Sequence, residues 1–268
     1  MQILNGLKRG LAALGLASFS LGAAPAQQPR PIHVAKPAMW KLADRDTTIY
    51  LFGTIHMLPK DYAWRTATLE QAVNGSQALV VETIVDEAKP EQIQAELARM
   101  AFNTPNLPPL AERIAPEKRP LLTTALSKAG LPHNGLDRIE TWAAAFILLG
   151  PQFKDLGVSG GEGVEAVLRK RFADSGKPVM QLETNGEQLG FFDALPEAAQ
   201  RELLEGTLES PGAMREEFGG MLAAWARGDV KAIAKSFNKN LSTSPDLKDA
   251  LIRRRNTNWS RWISRRMG

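Results

Sequence analysis

The sequence predicts a single α/β domain in which a small mixed β-sheet is covered by a large helical layer. Three observations point there. Apolar runs at 49–52 and 78–83, and again at 178–183, have the length and β-branched content of buried strands. The segments between and after them follow helical periodicity and are punctuated by glycine and proline. No linker-like composition or exact repeat divides the 268 residues, and 44% apolar content is ample for one core without staples.

The chain opens with a targeting pattern. Lys8 and Arg9 precede the apolar stretch GLAALGLASFSLGAA, and the small-x-small triplet APA at 24–26 matches a signal peptidase site. The expectation is a signal peptide over 1–26, cleaved after Ala26, and export to the periplasm; an uncleaved anchor is the alternative. Residues 27–38, proline-rich and containing His33, read as an extended leader, and the domain proper spans 39–268.

Strands at 39–42 and 49–52 are expected to pair through a tight turn at Asp44–Asp46. A helix follows at about 64–73, then the strand ALVVET at 78–83. Pro90 suits the first turn of the next helix, and Gly130 suits the C-terminal cap of APEKRPLLTTALSKAG. LDRIETWAAAFILLG reads as a core helix and GGEGVEAVLRKRFADSGK as another, before the short strand PVMQLE. The remainder, from GEQLGFFDAL to the arginine-rich end, reads as a run of helices.

Composition restricts the chemistry. With no cysteine, thiolate metal sites, a cysteine nucleophile and disulfides are excluded. The net charge of +4 falls to +2 if Lys8 and Arg9 leave with the signal peptide, and many remaining arginines lie at the end of the chain. That cluster reads as a solvated helix face, and no nucleic-acid partner is expected. GVSGGEG is glycine-rich but lacks the Lys-Ser/Thr ending of a phosphate loop.

Three strand-like runs end in groups able to hold a metal or move a proton: His56 after YLFGTI, Glu82 in VVET and Glu183 in QLET. Ligands of open α/β sheets collect beyond the carboxyl ends of strands, so parallel neighbours would bring the three together. One imidazole and two carboxylates suit a divalent ion such as Zn²⁺, Mn²⁺ or Co²⁺, which can bring a bound water to a pKa of about 7. The competing reading is structural: strand-end acids cap helices or pair with arginines, and a histidine can be a satisfied polar group. Gly53, three residues before His56, suits a bulge or a close backbone approach.

Together, LFGTIHMLP, ALVVET, GKPVMQLET and RRRNTNWSRWI resemble the TraB/GumN family of bacterial proteins, over nearly the whole chain from Met39. The animal Tiki proteins, metal-dependent proteases requiring Mn²⁺ or Co²⁺, share the same homology domain. The resemblance implies an α/β fold shared with erythromycin-esterase and ChaN-like proteins. It also implies a pocket containing His56 and Glu82, and correspondence of the family's R-N pair to Arg255–Asn256 and of its L-E-T segment to Glu183. The implied roles are His56 as metal ligand or base, Glu82 as second ligand or general base, Glu183 as ligand or orienter, and Arg255 as oxyanion stabiliser.

One departure stands out. The family carries a second G-x-x-H motif in a strand after the R-N-x-x-W helix, and none follows SRWISRRMG. His133, in LPHNGLD, lies elsewhere and reads as a surface residue. The expectation is therefore a C-terminally incomplete domain. It is either an exported metal-dependent hydrolase acting on an unknown peptide or envelope substrate, or a non-catalytic periplasmic binding protein with a degenerate site.

Overall fold

The computed structural model describes residues 35–268, apart from 85–89, 103, 105, 209, 241–243 and 268. The expected signal peptide and most of the leader, His33 included, lie outside the described residues. Strands β1 (Met39–Ala43) and β2 (Thr48–Phe52) form the expected hairpin, paired antiparallel from Met39↔Phe52 to Ala43↔Thr48. The Asp44 carboxylate closes the turn by accepting the backbone N–H groups of Asp46 at 3.1 Å and Thr47 at 2.7 Å, as short acidic side chains do.

Strand β3 (Leu58–Pro59) follows, then α1 (Ala67–Gly75). Helix α1 starts later than the sequence suggested because the Thr66 hydroxyl caps it, accepting the Leu69 N–H at 3.1 Å. Trp64 instead joins the core, 4% exposed, with its ring 6.3 Å from that of Phe52. Strand β4 (Leu79–Val81) leads to α2 (Pro90–Met100), α3 (Arg119–Lys128) and α4 (Thr141–Asp155). Gly130 ends α3 as expected: its φ is +70°, and the Leu131 N–H turns back to the Leu126 carbonyl at 3.0 Å.

Then come β5 (Val158–Ser159), α5 (Val164–Asp174) and β6 (Val179–Gln181). The chain finishes with α6 (Asn185–Asp193), α7 (Glu197–Thr207), α8 (Pro211–Ala226), α9 (Val230–Asn240), α10 (Pro245–Lys248) and α11 (Arg255–Ser264). A π-helical turn, Asp249–Arg254, joins the last two.

The fold is α/β with a large helical layer. Its strands form three two-stranded units rather than one continuous sheet: β1–β2 antiparallel, β3–β5 antiparallel and β4–β6 parallel. Only two of the three runs with functional ends, β4 and β6, are parallel neighbours. One core gathers α2, α3, α4 and α7 around Trp142, Ala143, Ala144 and Leu148, each 0% exposed. Beside it Arg113, 1% exposed, donates to the carbonyls of Pro108, Asp137 and Ile139. A second core joins the β1–β2 hairpin to α1, α5 and α8 through Ile55, Leu58, Val164, Phe172 and Trp225. Among the described residues no helix is long and apolar enough to cross a membrane. His133 is exposed in a turn, as expected.

Candidate functional site

Beyond β2 the chain runs through Gly53, Thr54 and Ile55 to His56, and the first turn of α5 is pressed against it. The Val164 N–H donates to the Ile55 carbonyl at 3.0 Å. At Gly163 an added Cβ would lie 2.0 Å from the His56 carbonyl oxygen and 2.5 Å from its carbon, so only glycine permits this approach. Glu165 is thereby set beside His56, with Oε2 3.2 Å from Nδ1, while its Oε1 accepts the Thr54 hydroxyl at 2.9 Å.

This pairing shapes both ionisations. The hydrogen bond to Glu165 raises the His56 pKa; desolvation opposes it, the charges of Glu165 and Glu82 add to it, and Arg255 subtracts. Burial alone would raise the Glu165 carboxyl, but the hydrogen bond and charge of His56, helped by Thr54, hold it below the usual carboxylate range. The imidazole itself remains open to solvent, 64% exposed, whereas the Glu165 side chain is 17% exposed.

Glu82 and Glu183 arrive side by side because the β4–β6 pairing continues past both strands, with the Glu183 N–H donating to the Glu82 carbonyl at 2.9 Å. Arg255 follows the π-helical turn, which re-phases the helix face, and bridges the two carboxylates. Its Nη2 donates to Glu82 Oε2 at 2.7 Å and to Glu183 Oε2 at 2.8 Å, and its Nε lies 3.0 Å from Glu183 Oε1. Trp259 Nε1 donates to Glu183 Oε1 at 2.9 Å, and the guanidinium lies 4.7 Å from the Trp259 ring centroid and 5.8 Å from that of Phe191. Burial opposes the Arg255 charge, but Glu183 and then Glu82 outweigh it and raise its pKa further.

The structure thus brings His56 and Glu82 together as the sequence suggested. His56, Glu82 and Glu165 each offer a ligand atom, all within 4.8 Å of one another. Glu183 lies outside this trio, with both oxygens engaged by Arg255 and one also by Trp259. Glu165 was not singled out from the sequence; the available signal was GEGVE, a glycine and an acid opening a helix. The close backbone approach expected at Gly53 belongs to Gly163 instead. A Cβ at Gly53 would meet nothing nearer than the Ala38 oxygen at 3.8 Å, and the Gly53 carbonyl accepts Trp225 Nε1 at 2.8 Å.

One imidazole and two carboxylates form a donor set suited to a borderline divalent ion. His56 Nδ1 is turned to Glu165, so a carboxylate sets the orientation of the imidazole.

The chain is 24% identical to the uncharacterized protein YbaP of Escherichia coli (strain K12) over 227 residues, 85% of this chain and 81% of that protein. It is 25% identical to YbaP of Shigella flexneri over 210 residues, 78% of this chain and 75% of that one. No solved structure shows significant similarity. The model of the TraB/PrgY/gumN family matches residues 38–268, which include His56, Glu82, Glu165, Glu183 and Arg255, and the chain belongs to that family.

Proposed function

We propose that this protein is an exported, metal-dependent hydrolase acting on peptide bonds, with His56, Glu82 and Glu165 as its ion-holding group. The observation that carries the reading is the convergence of their ligand atoms within 4.8 Å at the mouths of β2 and β4. Mn²⁺, Co²⁺ or Zn²⁺ suits the donors, and when bound such an ion supplies Lewis acidity and an acidified water. In this reading Glu165 holds the ion beside His56, and Glu82 contributes a carboxylate that can also accept a proton. Arg255, fixed by Glu183, presents a positive charge at the inner edge where an oxyanion would be favoured. Export rests on the pattern at residues 1–26.

Titration calorimetry of the metal-free protein with Mn²⁺, Co²⁺ and Zn²⁺ tests the reading, together with ion-stimulated cleavage of an unfolded protein. His56→Ala and Glu82→Ala are expected to abolish both binding and cleavage while leaving the fold intact. If none of the three ions binds a well-folded sample, the proposal is wrong.

The Arg255–Glu82 ion pair favours a second reading. A guanidinium 2.7 Å from Glu82 already neutralises one member of the trio, as a purely structural site would. In that case the protein is a non-catalytic periplasmic binding protein, and the same calorimetry would register no ion.

A further inference from the structure

We propose that Thr54 is a positioning residue of the ion-holding group: its hydroxyl occupies one oxygen of the Glu165 carboxylate and so keeps the other, Oε2, facing His56. What this does for an ion rests on the hydrolase reading. The hold on Glu165 does not.

The backbone on either side of Thr54 is pinned. Before it, the Gly53 N–H donates to the Ala38 carbonyl at 3.2 Å and the Gly53 carbonyl accepts Trp225 Nε1 at 2.8 Å. After it, the Ile55 side chain is buried in the second core and the Ile55 carbonyl accepts the Val164 N–H at 3.0 Å. Threonine is β-branched, and its first side-chain torsion is stiff. The hydroxyl therefore leaves from a fixed point, and it donates to Glu165 Oε1 at 2.9 Å.

Glu165 is the soft member of the pair. Its chain is unbranched, and it lies in the first turn of α5, with Arg169 one helical turn further on. The Arg169 charge is felt at the Glu165 carboxyl, and opposite charges four residues apart on a helix attract. The carboxylate thus has two directions open to it. Its contact with His56, Oε2 to Nδ1 at 3.2 Å, is to an imidazole that is itself exposed. One such contact leaves the carboxylate free to turn about its last bond. A second contact on the other oxygen, from a rigid strand end, fixes both its direction and its plane. Held this way, Glu165 keeps a ligand atom within 4.8 Å of those of His56 and Glu82; turned toward Arg169, it leaves the trio. Loss of a hydrogen-bond partner behind a ligating group costs about 10–100-fold in ion affinity. A hydroxyl that only satisfied a half-buried oxygen would affect stability and leave affinity alone.

The test compares Thr54→Val, which keeps the shape and removes the donor, with Thr54→Ser, which keeps the donor. In the metal-free proteins, NMR couplings and ring contacts of Glu165 should report one rotamer beside His56 in the parent and in Thr54→Ser. In Thr54→Val they should average, with new contacts to Arg169. Calorimetry with Mn²⁺, Co²⁺ and Zn²⁺ should show Thr54→Val weakened by about 10–100-fold and Thr54→Ser close to the parent. Should Thr54→Val not fold, Thr54→Ala takes its place in both measurements. A single Glu165 rotamer retained without the hydroxyl overturns the proposal, as does parental ion affinity in Thr54→Val. If the parent binds none of the three ions while Glu165 still loses its rotamer in Thr54→Val, the hydrolase reading falls and the hold of Thr54 on Glu165 stands.

Discussion

Replacing Gly163 by alanine is the sharpest test of how the site is built. The backbone there is extended, with φ −63° and ψ 151°, so alanine adopts it freely and the effect is purely steric. The new Cβ would start 2.0 Å from the His56 carbonyl oxygen, where ordinary contact begins at 3.4 Å, so the two segments must part by roughly 1.4 Å. Both partners are backbone, and neither has a rotamer to yield. Overpacking of this kind costs about 1–3 kcal/mol, and the absence of a soft partner puts Gly163→Ala near the upper end. In a domain of this size about 1 kcal/mol lowers Tm by about 2–4 °C, so the expected fall is about 6–12 °C. Separation also weakens the Val164–Ile55 and His56–Glu165 hydrogen bonds, so the His56 pKa should drop toward its ordinary value. Gly161→Ala is the internal control: nothing lies within 4 Å of its added Cβ, and it should be neutral or slightly stabilising. Thermal melts by circular dichroism and imidazole NMR read both effects. A Gly163→Ala protein that melts with the parent and keeps the His56 titration unchanged would refute the close-approach argument.

Three further outcomes follow from the same contacts. In the metal-free protein the His56 pKa should exceed its ordinary value of about 6.5 and fall in Glu165→Gln. Its stabilising contribution is full below the unfolded pKa and is lost as pH rises through the folded one, which NMR and pH-dependent melts can follow. Arg255→Met should cost about 3–5 kcal/mol, because Glu183, its side chain 7% exposed, is left charged without its partner. Arg255→Lys should cost less but still lose the paired contact to Glu183, and urea unfolding ranks the two. Arg113→Met strands the carbonyls of Pro108, Asp137 and Ile139 and should cost about 3 kcal/mol or more, measured the same way.

Elements defined by local chemistry were legible in the sequence. The Asp44 turn, Pro90 at a helix start and the glycine cap at Gly130 each depend on residues a few positions apart. The division into three strand pairs was not, because it depends on which edges meet across long separations. Nothing in TIYLF or LVV says which strand each will pair with. The start of α1 was misplaced for the opposite reason: Trp64 has good apolar periodicity, but the core recruits it into the segment before the Thr66 cap.

The presence of Glu165 rather than Glu183 beside His56 and Glu82 has the same origin. Both acids sit at the mouth of an element, and their sequence signals are equal. What separates them is the company each keeps. Glu183 meets a guanidinium whose position is set by the π-helical turn and by Trp259, and its charge is consumed there. Glu165 meets an imidazole because a glycine without a side chain lets α5 close on the His56 carbonyl. Arg255 therefore acts on the trio from outside: by holding Glu183 and touching Glu82 with the same nitrogen, it ties these two carboxylates together, while His56 is the most solvent-exposed member of the trio.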